Sequence, residues 1–178
     1  MNSLPLHPAL VHLPMGLAVA LPILAIGLAW AIWKGKLGRT GWLAMVGLQA
    51  LLVGGAFVAL NTGEKEEEVV EAVVPEAAIE EHEEAAQQFT FAAVVTLVLA
   101  GLGVVRKSDR WLKIGSAATA VASVAVLLLG LRVGHEGGKL VYVHNAGAAH
   151  STQQDAPGAT PSAPRIKAEA RTAEDHDD

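Results

Sequence analysis

Four long apolar runs, separated by short polar segments, dominate the pattern of the chain. They extend over residues 9–33, 43–60, 89–105 and 114–131, and none contains a charged residue. At about 1.5 Å per residue, a helix of roughly 17–25 residues crosses a hydrocarbon core of about 30 Å. Transmembrane β-strands would alternate polar and apolar residues, which these runs do not. The pattern therefore predicts an all-α protein, an integral membrane four-helix bundle.

The composition agrees with lipid as the solvent for much of the chain. Of the 178 residues, 52% are hydrophobic and 17% charged, whereas soluble domains carry about 25% charged residues. Residues 1–8 contain no Lys or Arg, so the positive region of a cleavable signal peptide is missing and the first run is predicted to be a permanent span. The absence of cysteine excludes disulfides and thiolate metal sites. No basic patch with aromatic residues is present, so nucleic acid is not an expected partner.

The charges in the connecting loops predict the orientation, because short loops rich in Lys and Arg stay in the cytoplasm. The basic residues of loops one and three are Lys34, Lys36, Arg39, Arg106, Lys107, Arg110 and Lys113. The second loop instead carries ten glutamates against one lysine. We therefore expect loops one and three inside, and the second loop and both termini outside the inner membrane of a bacterium. Trp30, Trp33, Trp42 and Trp111 fall at the predicted inner ends of their spans, as in an aromatic belt.

The second loop, residues 62–88, has a helical pattern. Val69, Val70, Val73 and Val74 recur at helical spacing. After Pro75 a second apolar set, which includes His82, recurs at i, i+3, i+4 and i+7. Pro75 disfavours helix for the residue before it and can begin a new one. This pattern predicts an outward helical hairpin that extends spans two and three by about three turns each.

The glutamates of this hairpin are open to three interpretations. They fit a solvated charge run, a collector for divalent cations, or a docking face for a basic partner. With the hairpin, residues 1–145 form the predicted transmembrane domain. Residues 146–178, rich in Ala, Pro, Ser, Thr, Gln and Asp, are predicted to be a disordered extracytoplasmic tail.

The histidines gather at the predicted outer side of the membrane. His12 lies about one turn inside the first run, where a polar side chain is costly unless it faces the bundle. His135 lies in a Gly-His-Glu-Gly-Gly segment, residues 134–138, whose glycines let a helix stop and let the backbone approach a ligand closely. Neutral imidazole is the commonest metal ligand in proteins. Capping or interfacial hydrogen bonding is the alternative role for each.

The depths of these residues decide which of them share one ligand. With the spans aligned at their outer edges, His12 lies about 5 Å inside, His135 about 5 Å outside and His82 about 10 Å outside. One iron between His12 and His135 requires a shift of a turn or two, which tilt and the prolines of span one can supply. We therefore predict His12 and His135 as the axial pair of a haem b or as transition-metal ligands. His82 would be a third ligand or a neighbour, and Arg132 would pair with a haem propionate.

The sequence resembles a bacterial family of four-span membrane proteins known as domain of unknown function 2231. The matching stretches are His7-Pro8, Val11-His12-Leu13-Pro14, Asn61-Thr62-Gly63, His82-Glu83 and Gly134-His135-Glu136-Gly137-Gly138. The resemblance covers roughly residues 5–143. Members look like membrane proteins that stand alone or are joined to redox domains such as cytochrome c. The resemblance thus implies a role in electron transfer, with His12, His82 and His135 as site residues.

Two functions follow as hypotheses for a protein embedded in the lipid bilayer. The first is a module that binds haem b or another metal for electron transfer or redox sensing, with a redox protein or another membrane subunit as its partner. The alternative is a cofactor-free interaction or assembly subunit that docks partners through the acidic hairpin. The span centres lack ionisable residues, which disfavours a transporter. No phosphate loop, nucleophile elbow or buried acidic pair is found, so an enzyme is not expected.

Overall fold

The computed structural model describes residues 6–149, and the long elements within this range are all helical. The helices are α1 (Leu6–Leu10), α2 (His12–Trp33), α3 (Arg39–Val70), α4 (Glu76–Val105) and α5 (Asp109–Tyr142). The four long helices each contain one predicted span and are long and apolar enough to cross a membrane. The predicted all-α membrane bundle is therefore confirmed.

The surface of the bundle is apolar at mid-height. Ile23, Phe91 and Val121 lie near the middle of α2, α4 and α5 and are 72%, 72% and 74% exposed. Monomeric soluble proteins rarely expose contiguous apolar surface of this kind. In a bilayer the same side chains contact acyl chains, so the exterior of the bundle is suited to lipid.

The helices continue beyond the apolar runs into polar sequence. α3 extends to Val70 and α4 begins at Glu76, with a short turn between them. Val74 in that turn packs with Ile79 and with Ala146, which follows α5. How far these helix ends project beyond lipid stays a prediction.

The chain remains packed for a few residues past the predicted domain boundary at residue 145. Ala146 and Ala149 are buried, and the Ala146 amide donates to the Leu140 carbonyl at 3.0 Å. The rest of the predicted tail, with His150 and His176, lies outside the described residues.

The end of the bundle with the α2–α3 and α4–α5 loops, which we call the inner end, does not carry a complete aromatic belt. Trp30, Trp33 and Trp111 are exposed, as expected, but Trp42 is 0% exposed. Its indole N–H donates to the Ala100 carbonyl at 3.1 Å. The prediction that Trp42 lies at the lipid interface is therefore wrong, because its ring fills the space beside the small residues of α4 instead.

The four long helices form a ring in which each packs against two neighbours. α2 and α4 both pack against α3 and against α5. The hairpin α2–α3 and the hairpin α4–α5 cross the bundle in the same two directions, one after the other. This is the arrangement of parallel structural repeats, which are related by an axis along the membrane normal.

The buried positions of the two hairpins coincide at nearly constant offsets. Buried residues of α2 and α4 pair at a spacing of 75 residues: Pro14 with Phe89, Ala18 with Ala93, Leu21 with Thr96, and Ala25 with Ala100. Buried residues of α3 and α5 pair at a spacing of 74 residues: Trp42 with Ser116, Met45 with Thr119, Gln49 with Ser123, Leu52 with Val126, and Ala56 with Gly130. All of these residues are buried. The bundle is therefore two similar hairpins around an approximate two-fold axis.

Candidate functional site

A cavity of about 540 Å³ lies between the helices at the end of the bundle that carries the α3–α4 turn, which we call the outer end. Its size falls within the range of roughly 300–1,000 Å³ typical of cofactor and small-molecule sites. Every helix contributes to its wall, and much of the lining is apolar. Representative apolar lining residues are Val11, Met15, Ala56, Leu60, Ile79, Phe89, Val133 and Leu140.

His7, on the short helix α1, lines one side of this cavity and is half-buried. Its Nδ1 lies 3.0 Å from the Ala59 carbonyl and 3.1 Å from the Thr62 hydroxyl of α3. Because a carbonyl can only accept a hydrogen bond, this contact favours the tautomer with the proton on Nδ1. The other ring nitrogen, Nε2, is then left with a free lone pair.

His82, on α4, also lines the cavity and is partly buried. Its Nδ1 is buried and makes no hydrogen bond within the described part of the chain. The backbone of Val133 on α5 lies against the ring, at the position that corresponds to Ala59 beside His7.

The two histidines occupy equivalent positions in the two hairpins. His7 and His82 are 75 residues apart, and each ring lies against a glycine at the outer end of the next long helix. A Cβ built on Gly63 would lie 3.3 Å from Cε1 of His7, and one built on Gly137 would lie 3.1 Å from Cε1 of His82. The rings are also close enough for a charge on one to act on the other. The repeat therefore brings two imidazoles to one cavity from opposite halves of the bundle.

Carboxylates complete the outer part of the lining. Glu64, Glu66 and Glu67 of α3 and Glu83 of α4 all contribute to the cavity wall. Their combined charge favours a cationic group in or near the cavity over an anionic one.

Of the predicted site residues, only His82 lines the cavity. The side chains of His12 and His135 are exposed, and neither is among the described residues of the lining. Arg132 lies on the outer surface of α5, where Nη1 donates to Oε1 of Gln88 at 2.8 Å and Nη2 lies 4.0 Å from Oε2 of Glu84.

His7 was not predicted as a site residue. The signal that identifies it is the repeat, which pairs His7 with His82 and Gly63 with Gly137. Within residues 6–149, no three His, Asp or Glu side chains are grouped so that they could hold a metal ion. The geometry of the described chain thus presents two imidazoles at one cavity.

Comparison with known proteins places the chain in a family. No curated protein and no solved structure matches it. The model of a family described as predicted membrane protein (DUF2231) matches residues 3–150, which includes every helix and both histidines of the cavity. The chain belongs to the DUF2231 family of membrane proteins.

Proposed function

We propose that the outer cavity binds a haem b between His7 and His82, and that the protein is a membrane module for electron transfer or redox sensing. The observation that carries this proposal is the pair of equivalent imidazoles facing one cofactor-sized cavity in a four-helix membrane bundle. Bundle cores with inward histidines are a common setting for such cofactors.

The hydrogen bonds of His7 support a role as a metal ligand. Metal-binding histidines nearly always donate their second ring N–H to a carbonyl, a carboxylate or water, which fixes the tautomer and the orientation of the ring. The Ala59 carbonyl, 3.0 Å from Nδ1 of His7, provides this contact. Nε2 of the ring is then the coordinating atom.

The apolar part of the lining supports a flat macrocycle with a positive metal centre, and the two propionates of haem b would lie away from the glutamates of the lining. Apolar side chains from all four long helices would contact the macrocycle, and the glycines at positions 63 and 137 leave room for both imidazole rings. The carboxylates of the lining would stabilise the oxidised, more positive form of the iron. They would therefore lower its reduction potential, which depends on the net charge around the site.

Absorption spectra of the detergent-purified protein, oxidised and then dithionite-reduced, test this proposal. We expect a Soret band with sharp reduced α and β bands that is lost in His7→Ala and in His82→Ala. His12→Ala and His135→Ala provide matched controls, because they remove exposed imidazoles and represent the pair predicted from the sequence. They should retain the spectrum.

Two other results have distinct meanings. Loss of the spectrum in His12→Ala and His135→Ala, with retention in the other two variants, would assign the axial ligands to the pair predicted from the sequence. A featureless spectrum from cells supplied with haem, with no transition metal by elemental analysis, would contradict cofactor binding. That result would favour a cofactor-free docking subunit.

We also propose that the cavity opens on the extracytoplasmic side of a bacterial inner membrane. The basic loops at the opposite end of the bundle support this orientation. Because the natural sequence has no cysteine, single cysteines at the exposed positions Glu71→Cys and Lys107→Cys report on one side each. A membrane-impermeant maleimide applied to spheroplasts should label Glu71→Cys strongly and Lys107→Cys only after lysis. The reverse pattern would invert the orientation.

A further inference from the structure

A buried amide without a partner in the described part of the chain lies at the centre of the bundle, about two helical turns from the deepest residues of the histidine cavity. Gln49 of α3 is 0% exposed. Its Nε2 and Oε1 atoms are both buried, and neither has a hydrogen-bond partner in the described part of the chain. A donor and an acceptor of one side chain are thus left unsatisfied where no bulk water reaches.

The register of the helices identifies the residues beside Gln49. Gly55 of α3 is level with Pro14 of α2, and Gly130 of α5 is level with Phe89 of α4, because a Cβ on either glycine would lie 3.3 Å from the named residue. Moving about two helical turns inward from these contacts, at 3.6 residues per turn, reaches the level of Gln49. The other buried residues of that level are Leu21, Thr96 and Ser123.

Three of the four residues in this layer are therefore polar. The Thr96 hydroxyl donates to the Ala92 carbonyl at 2.7 Å, and the Ser123 hydroxyl donates to the Ala120 carbonyl at 2.9 Å. A hydroxyl has one proton and two lone pairs, so both oxygens remain available as acceptors. The layer thus offers one amide and two hydroxyl acceptors directed toward the middle of the bundle.

The energetics require a ligand for this amide. Burial of an amide without hydrogen bonds costs several kcal/mol, and the hydrocarbon region offers no bulk water to satisfy it. The next layer outward, with Ala18, Leu52, Ala93 and Val126, is apolar and provides no side-chain partner.

The chemistry of the unsatisfied atoms identifies the class of ligand. A cation would satisfy Oε1 but not the Nε2 donor, and an anion would do the reverse. Water both donates and accepts, and buried waters typically make about three hydrogen bonds to otherwise unpaired polar groups. We infer that Gln49, with Thr96 and Ser123, binds internal water at the centre of the membrane bundle.

This site is separate from the cavity that contains His7 and His82. Thr90 is the deepest α4 residue of the cavity lining, and it lies six residues, or about 9 Å along the helix axis, from Thr96. The water site therefore does not depend on whether a cofactor binds at the outer face.

Water-edited solid-state NMR of the full chain in lipid bilayers tests the inference. Magnetisation from water protons should reach the Gln49 side-chain amide several-fold faster than it reaches the indole N–H of Trp42. Trp42 is the internal control, because it is equally buried and already donates to the Ala100 carbonyl. The amide signal is assigned by its loss in Gln49→Leu.

Two results would overturn the inference. Transfer to Gln49 as slow as transfer to Trp42 would show that no water lies against the amide. An unchanged transfer rate in the double variant Thr96→Val, Ser123→Ala would show that the two hydroxyls do not help to bind the water. The pair Thr96→Ser and Ser123→Thr keeps both hydroxyls and should retain fast transfer, which separates loss of the site from general disturbance of packing.

Discussion

A Gly137→Val variant is expected to lose the haem b that we propose for the outer cavity, while the bundle remains folded. A Cβ at position 137 would already lie 3.1 Å from Cε1 of His82 and 3.5 Å from its Nδ1. The additional methyl groups of valine must displace the imidazole into the cavity or distort α5. Overpacking of this kind costs about 1–3 kcal/mol, and each 1.4 kcal/mol weakens binding by about tenfold. Haem content per protein, measured by absorbance after purification, reports the loss.

The neighbouring glycine provides a matched control. A Cβ on Gly138 would meet no atom within 4 Å, so Gly138→Val makes the same chemical change in the same helix without touching the cavity. Both variants should elute from size-exclusion chromatography as the natural protein does, and only Gly137→Val should lose the ligand. Equal haem content in the two variants would contradict the assignment of His82 as a ligand.

The apolar runs predicted the number of spans and their cores, because exclusion of charge from hydrocarbon acts residue by residue. They did not define the helix ends. α3 continues to Val70 and α4 begins at Glu76, since intrahelical hydrogen bonds depend on the backbone and not on the hydropathy of the side chain. Hydropathy thus locates the helix segments that contact lipid, whereas helix propensity and turn residues such as Pro75 determine where each helix stops.

The pairing of the histidines was less accessible to sequence reasoning. Alignment of the apolar runs at their outer edges assigns each histidine a depth but not the direction in which its side chain points. In the structure, α1 continues into α2 through Val11, whose backbone angles are helical and whose N–H donates to the His7 carbonyl. The contact between His7 and Ala59 holds the ring over the bundle. His7 and His12 are five residues apart, which is about 140° around a helix of 3.6 residues per turn, so hydropathy alone does not show which of them faces the cavity.

Internal similarity could have provided the missing information. The two hairpins share few identical residues, because their buried positions have diverged in size. Trp42 and Met45 in the first hairpin correspond to Ser116 and Thr119 in the second. Large side chains on α3 and small ones on α5 fill one core together. The two hairpins therefore share the pattern of buried positions but not the residue types at those positions.

The inner crossing of α4 and α5 is where the largest effect on stability is expected. A Cβ on Gly115 would lie 2.9 Å from the Cα atom and 3.0 Å from the backbone nitrogen of Gly103. These are backbone atoms, so the contact cannot be relieved by a change of rotamer and the helices must separate. We expect Gly115→Ala to lower the free energy of unfolding by about 1–3 kcal/mol, the usual cost of overpacking.

Thermal or SDS-induced unfolding in mixed micelles, followed by circular dichroism, measures this effect, and Gly101→Ala is its control. Gly101 lies in α4 near the same crossing, but a Cβ there would meet no atom within 4 Å. In a helix interior, alanine is favoured over glycine by about 0.5–1 kcal/mol, so Gly101→Ala should be neutral or slightly stabilising. The two substitutions are chemically identical and carry the same propensity gain. A difference in their stability therefore reports the helix crossing, and equal stability would show that α4 and α5 do not approach each other as closely as this packing requires.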